Sequence, residues 1–182
     1  MKKMNQRLTA MIAFSLFTAS AVQASEFAVT SPDLEAGGTI AADQYWNQFG
    51  CSGANKRPAL KWTDPPAGTK SFAVTFYDKD APTGSGFWHW VVYDIPASTR
   101  ELTATGLPDG SVEGNTDLSK PGYFGPCPPV GRKHQYTFTV HALDADKLDA
   151  PKGGSSALTG FFIHQHSIGQ AKISVFAGPR DK

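Results

Sequence analysis

Residues 76–96 bring together side chains that can bind anions and exchange protons. Asp78 and Asp80 follow an apolar run, and His89 begins the next apolar run after a loop rich in Gly, Ser and Pro. If the two runs pair as antiparallel strands, facing residues lie about 5 Å apart at Cβ, so Asp78 can reach His89. A carboxylate there fixes one imidazole tautomer and raises the histidine pKa, which favours a cationic ring that donates to an anion. The simpler alternative is an aspartate that caps the turn and a histidine that fills the core.

A second segment, residues 123–136, carries His134 and Tyr136 at the start of another apolar run. Three prolines restrict the backbone of this segment, and glycines at 125 and 131 allow tight bends. The sequence therefore predicts a stiff loop that edges a preformed cleft, with a histidine from each of two strand starts beside it.

The elements that must hold these side chains are mostly strands. Short apolar runs separated by Gly and Pro are typical of a β-rich domain with many turns. Segment 71–77 is apolar at nearly every residue, which predicts a central strand covered on both faces. Segment 136–143 alternates, with its apolar residues on one face and Thr137, Thr139 and His141 on the other. Further strands are predicted at these segments: 58–62, 89–95 and 172–177.

Helical signals are few. One helix is predicted near 156–167, where serines can cap the first turn and a glycine follows the last. Residues 144–151 allow a single helical turn that Pro151 would end. The predicted fold class is therefore a mainly β, antiparallel domain with one or two small helices.

The first 24 residues have the pattern of a secretory signal peptide. Lys2, Lys3 and Arg7 precede a short apolar run at 8–17, and small residues precede a cleavage site near Ala24. This run is too short to span a bilayer, and no later segment approaches the roughly 20 apolar residues that a span needs. The predicted organisation is a signal peptide at 1–24 and a single domain at 25–182, in the periplasm.

The charge balance excludes one class of partner. Without the three basic residues of the leader, 14 of the 17 basic residues remain against 16 acidic ones, a net charge of −2. Such a chain has no bulk attraction for nucleic acid. No pattern in the sequence predicts a cofactor either.

Cys51 and Cys127 are the two cysteines of the chain. In an exported protein an even count predicts a disulfide, which here would join residues 76 positions apart. The bridge would contribute about 4 kcal/mol in the chain-entropy model. Two free buried thiols, or a nucleophilic Cys127, are the alternatives.

Four further side chains have competing interpretations. His164 and His166 form a His-x-His pair that could bind a metal. On a helix, however, they point to different faces, so a structural or dimer-contact role is favoured and no metal site is predicted. Strand alternation places Trp88 and Trp90 opposite His89, where core or interface packing is expected instead of stacking on a ligand.

Several motifs in fixed order resemble the phosphatidylethanolamine-binding protein family, also called the Raf kinase inhibitor protein family. They are DKDAP, WHWVVYDIP and GPCPPVGRKHQYTFTVHALD. CSGANKRPALKW and GFFIHQHSIGQAKISVF are similar to the bacterial branch of the family. The resemblance extends from about Phe27 to Phe176. It implies a Greek-key β-sandwich with one small pocket near a sheet end that takes phosphate-like anions.

The resemblance also implies which residues bind the ligand. The family's pocket positions, with their close neighbours, fall on Asp78, Asp80, His89, Cys127, Pro128, Pro129, His134 and Tyr136. Two residues depart from the family pattern. Lys79 replaces the proline of Asp-Pro-Asp, and Cys127 replaces a glycine, so a bridge to Cys51 would fix the pocket rim.

The leading functional hypothesis is a periplasmic binding protein for small phosphate- or carboxylate-bearing groups, without enzymatic activity. It would also modulate a protein partner such as a kinase or a protease, as some relatives do. The alternative is a hydrolase that uses the same Asp and His groups on phosphoesters, although the sequence lacks a Gly-x-Ser-x-Gly motif. A homodimer is a further expectation from the resemblance.

Overall fold

The computed structural model describes residues 26–181, so the predicted signal peptide at 1–24 lies outside the described residues. These described residues fold into two antiparallel sheets and one α-helix. In chain order the elements are β1 (Ala28–Thr30), a 3₁₀ turn (Ala42–Gln44), β2 (Leu60–Thr63), β3 (Ser71–Asp78), β4 (Phe87–Pro96), β5 (Glu101–Leu102), β6 (Val112–Glu113), β7 (His134–Leu143), α1 (Ser156–His166) and β8 (Ser167–Ala177).

The larger sheet has the strand order β6-β4-β3-β7-β8, and the smaller sheet has the order β1-β2-β5. Every pairing between these strands is antiparallel. The predicted mainly β, antiparallel fold with a small helix is confirmed, and the strand orders are consistent with a Greek-key sandwich. The single turn predicted within 144–151 is wrong, because the structure has bends there and no helix.

The main core lies between the two sheets. Alternate residues of β3, among them Phe72 and Phe76, point toward Leu60 and Trp62 of the smaller sheet. The rings of Phe76 and Phe138 stack with centroids 3.9 Å apart. Burying a side chain of this size contributes about 1.5–3 kcal/mol, so this layer fixes the register of the central strands.

The other face of the larger sheet is only partly covered. Ile163 of α1 packs there against Ala73, Val91 and Leu143. The helix begins at the N-cap Ser155, whose hydroxyl accepts from the Leu158 amide as predicted. The part of this face that the helix leaves uncovered is polar. Successive residues of β3 and β7 therefore point alternately to the apolar core and to this polar surface.

A β-bulge lies at His89 in β4. Trp90 pairs with Phe76 and Trp88 pairs with Tyr77, so His89 is an extra residue without a partner on β3. The bulge places both His89 and Trp90 on the sandwich face, whereas Trp88 packs on Gly160 of α1. The prediction that both tryptophans face opposite His89 is therefore wrong for Trp90, although its packing role is confirmed.

The predicted disulfide between Cys51 and Cys127 is present. It joins residues 76 positions apart and ties segment 46–53 to the Pro-rich loop 123–133. Two segments that belong to neither sheet are thereby held beside the ends of β3 and β7.

Candidate functional site

A cleft of about 190 Å³ opens where β3, β4 and β7 meet loop 123–133; we call it the front cleft. Its walls are mainly apolar and its polar side chains lie at the strand ends. The lining residues are Trp46, Phe49, Asp78, Ala81, Pro82, Thr83, Phe87, His89, Leu118, Phe124, Cys127, Pro129, His134 and Tyr136.

Asp78 is the anchor of the front cleft. It ends β3, is only 2% exposed, and both of its carboxylate oxygens are engaged. Oδ2 accepts from His134 Nδ1 at 2.8 Å, and Oδ1 accepts from the Asp80 amide at 2.9 Å. The turn bond fixes the carboxylate, and the carboxylate in turn orients the His134 ring, whose Nε2 remains as its second polar atom.

His89 has a different partner. Its Nδ1 lies 2.8 Å from the Phe124 carbonyl, which can only accept, so this nitrogen carries the proton. Burial lowers the pKa of His89 to about 4, although the Phe124 carbonyl and the Asp78 charge act in the opposite direction. At neutral pH the ring is therefore uncharged, and its Nε2 is a hydrogen-bond acceptor.

These contacts correct the predicted Asp78–His89 pair. The carboxylate orients His134 on β7, because the bulge turns His89 toward loop 123–125. The predicted rise in the pKa of His89 is also wrong, since desolvation of a buried imidazole outweighs the attraction of a carboxylate that it does not contact.

Tyr136 supplies a hydroxyl at the base of the cleft. The residue is buried on β7, next to the Asp78–His134 pair. Burial raises the pKa of Tyr136, and the Asp78 carboxylate raises it further. The phenol therefore stays protonated and can act as a donor.

Asn55 holds the loop that carries the His89 acceptor. Its side-chain amide donates to the Tyr123 carbonyl at 3.1 Å, and its Oδ1 accepts from the Gly125 amide at 2.7 Å. The residue between them is Phe124, which exchanges two hydrogen bonds with His89. Asn55 has a φ of 52°, which suits asparagine, but nothing in the sequence indicated a contact across some 70 residues.

The apolar wall was also missed by sequence reasoning. Trp46 stacks on Phe49 with centroids 4.8 Å apart and meets Phe124 edge-on. Phe49 is 72% exposed, at the mouth of the cleft. It lies in a polar, Gly-containing segment near Cys51, and only the predicted disulfide pointed to this segment as part of the rim.

The structure brings most of the predicted site residues together and leaves two outside. Those that line the front cleft are Asp78, His89, Cys127, Pro129, His134 and Tyr136. Asp80 is exposed, and its carboxylate accepts from the Gln135 amide at 2.7 Å. Pro128 is buried behind the rim, and its carbonyl accepts from Arg180 Nε at 2.6 Å. Both residues therefore support the lining without belonging to it.

His164 and His166 do not share a site. The first donates from Nδ1 to the Gly160 carbonyl, and the second pairs with Asp144 at 2.9 Å. Within residues 26–181 no group of three or more His, Cys, Asp or Glu side chains could hold a metal ion. The helix of this part of the chain is also not long and apolar enough to cross a membrane.

Comparisons with known proteins identify the family of the chain. Residues 30–177 match the family model described as phosphatidylethanolamine-binding protein. The chain is 48% identical over 150 residues to YbhB of Escherichia coli strain K12, a match that covers 79% of this chain and 95% of YbhB. It is 42% identical over 175 residues to YbcL of the same strain, covering 92% of this chain and 94% of YbcL.

A solved structure and a named lipoprotein extend the match. The crystal structure of E. coli YbcL, described as a new member of the mammalian PEBP family, superposes with a TM-score of 0.82 at 41% identity. The superposition covers 86% of this chain and 100% of that chain. The putative lipoprotein LppC of Mycobacterium tuberculosis strain H37Rv is 33% identical over 157 residues, which are 86% of this chain and 74% of LppC. These matches confirm the family resemblance predicted from the sequence motifs.

Proposed function

Because the chain belongs to the phosphatidylethanolamine-binding protein family, we propose that it is a binding protein whose front cleft holds a small phosphate- or carboxylate-bearing group. The observation that carries this proposal is the convergence of Asp78, His89, His134 and Tyr136 on one apolar-walled cleft of about 190 Å³. A cleft of this size takes one polar group at its base and leaves the rest of a larger ligand at its mouth.

The hydrogen-bond partners favour a phosphoryl group over a carboxylate. His134 donates from Nδ1 to Asp78, which leaves its Nε2 for a ligand, while neutral His89 offers only an acceptor at Nε2. A phosphoryl group that keeps one proton supplies a donor for the His89 nitrogen and an acceptor for the Tyr136 hydroxyl. A carboxylate supplies acceptors only, and would leave the buried His89 nitrogen unpaired.

We propose binding without catalysis because the candidate nucleophiles at the cleft are held inactive. Cys127 is in the disulfide, and the Thr83 hydroxyl donates to the Gly86 carbonyl. Burial and the Asp78 charge raise the pKa of Tyr136, so its phenolate is disfavoured. A covalent mechanism needs a nucleophile whose deprotonated form is favoured.

We also propose a periplasmic location and a macromolecular partner. The disulfide suits an oxidising compartment, and the similar LppC is named as a lipoprotein. Exposed Phe49 and Val130 near the mouth of the front cleft offer apolar surface to a protein target such as a kinase or a protease. Exposed Leu158 and Phe161 on α1 offer similar surface to a second copy of the chain.

Isothermal titration calorimetry with phenylphosphate tests the proposal. We expect the His134→Gln and His89→Gln variants to bind about tenfold or more weakly than the native chain, since each loses a buried polar contact. The His166→Gln variant is the matched control, because it removes an imidazole that pairs with Asp144 and does not line the front cleft. Unchanged affinity in both histidine variants would remove the assignment.

The same titration separates binding from hydrolysis. Phenylphosphate releases phenol when its ester bond is cleaved, so absorbance of the incubated mixture reports turnover. We expect no release of phenol. Release that disappears in the His134→Gln variant would instead establish the phosphoesterase alternative.

A further inference from the structure

A second cleft lies on the opposite face of the larger sheet, beside α1. It has a volume of about 380 Å³ and shares no lining residue with the front cleft. We call it the rear cleft and define it by Lys79, Lys172, His141, His164, Thr75 and Thr139. None of the described residues that line it is acidic.

Strand register explains how this polar surface is built. Thr75 on β3 pairs with Thr139 on β7, which pairs with Lys172 on β8. The neighbouring row runs from Tyr77 through Thr137 to Ser174. Side chains in such rows lie about 5 Å apart on one face of a sheet, so hydroxyl groups from three strands form a continuous floor.

Two lysines and one histidine surround this floor. Lys79 follows β3, Lys172 lies on β8 and His164 lies on α1. Among residues 26–181 no carboxylate lies within salt-bridge distance of either lysine. With two lysines and no acidic residue in its described lining, the rear cleft favours negative charge.

The buried residue His141 also lines the rear cleft. The residue is 3% exposed, its Nε2 lies 3.2 Å from the Thr75 hydroxyl, and its buried Nδ1 has no hydrogen-bond partner. Its ring lies 5.6 Å from the His164 ring, in a perpendicular arrangement. Burial, together with smaller effects of His164 and Lys172, lowers the pKa of His141 to about 3. A buried polar nitrogen without a hydrogen-bond partner is rare in folded proteins.

We propose that the rear cleft is a second binding site, for a tetrahedral oxyanion such as sulfate or phosphate, either free or as the terminal group of a larger molecule. The ammonium groups of Lys79 and Lys172 and the hydroxyl groups of the floor offer donors from several strands, which suits an anion with more than two acceptor oxygens. The volume exceeds that of one such ion, so the rear cleft also admits the group that carries it. Lys79 and His164 line this proposed site, whereas neither residue lines the front cleft.

Sulfate titration followed by two-dimensional NMR of the ¹⁵N-labelled mature chain tests this site, with chloride used to keep the ionic strength constant. We expect saturable shifts at Thr139, His141 and Lys172. They should weaken about tenfold or more in the Lys79→Gln/Lys172→Gln variant, since two charge-assisted contacts are lost. Both lysines are exposed, so this variant keeps the fold.

Two controls keep the outcome decisive. The Lys56→Gln/Lys61→Gln variant removes the same charge elsewhere and should retain the shifts. The His134→Gln variant impairs the front cleft and should also retain them, so failure of the rear site is distinguishable from failure of the proposed function. Shifts that stay linear with sulfate, that survive in the Lys79→Gln/Lys172→Gln variant, or that occur only at the front cleft would overturn the proposal.

Discussion

The front cleft and the rear cleft are built on opposite faces of the same two strands. Asp78 and His134 point into the first, whereas Lys79 and Thr137 line the second. Because side chains alternate with a period of two, one pair of strands can support two unlike surfaces. In the front cleft, Asp78, His89 and His134 form hydrogen bonds within the protein. In the rear cleft, Lys79 and Lys172 form no salt bridge with a described carboxylate. If both clefts bind as proposed, the first selects a ligand by geometry and the second by charge.

The two clefts also differ in what holds them. The front cleft depends on segments distant in the chain, because Cys51, Asn55 and Arg180 each bind loop 123–133 or its neighbours. The rear cleft rests on paired strands and one helix. Breaking a long-range tie should therefore harm the front cleft and spare the rear cleft, and four experiments examine this contrast.

Removal of the disulfide should give the largest effect. The Cys51→Ser/Cys127→Ser variant should lose about 4 kcal/mol of unfolding free energy, as expected for a bridge between residues this far apart. Urea denaturation measures this loss. Phenylphosphate affinity should fall about tenfold or more because the rim is released, while sulfate shifts at the rear cleft should persist. Equal losses at both clefts would contradict the contrast.

The buried histidines predict a pH dependence of stability. The pKa of His89 is about 4 in the folded chain, against an ordinary value of 6.5. Between pH 4 and pH 6.5 the imidazole is therefore protonated in the unfolded chain and neutral in the folded chain. Stability should therefore fall by about 3 kcal/mol as pH drops from 6.5 to 4 through this residue alone. His141 acts in the same direction over a window that reaches lower pH.

Urea denaturation over this pH range separates the two contributions. The His89→Gln and His141→Gln variants should each show a shallower loss of stability than the native chain, and the double variant the shallowest. If the unfolding free energy of both single variants fell with pH as steeply as that of the native chain, neither ring would be held neutral by burial.

The Asn55→Gly variant isolates one long-range tie. Glycine keeps the left-handed backbone at this position and removes two hydrogen bonds, which should cost about 2 kcal/mol of unfolding free energy. Phenylphosphate affinity should also fall, because the Phe124 carbonyl that orients His89 loses its support. Asn115→Ala removes an amide contact elsewhere and serves as the control. Equal ligand affinity in the two variants would show that the loop is fixed without Asn55.

The Phe49→Asn variant should have the smallest effect on stability. The side chain is 72% exposed and asparagine tolerates its φ of 55°, so unfolding free energy should change by no more than about 0.5 kcal/mol. Affinity for phenylphosphate should fall several-fold while affinity for inorganic phosphate stays the same. Equal changes for both ligands would show that Phe49 does not contact the apolar part of a ligand.

Local patterns predicted the framework well. Alternation in segment 136–143 gave the correct faces of β7, and the even cysteine count gave the disulfide. The partner of Asp78 could not be predicted, because it depends on the bulge at His89 and on which strand lies beside β3. Asn55 and Phe49 were missed for a similar reason: each acts across a distance in sequence that periodicity does not describe. The sequence also did not predict which face of the sheet Lys79 lies on, because this depends on where β3 ends.

The central claim is that Asp78, His89, His134 and Tyr136 form one phosphoryl site, and a crystal structure of the phenylphosphate complex tests it most directly. The phosphoryl oxygens should lie within hydrogen-bond distance of His134 Nε2 and His89 Nε2, with the phenyl ring against Phe49. A front cleft that stays free of ligand while the anion binds only elsewhere would contradict the account.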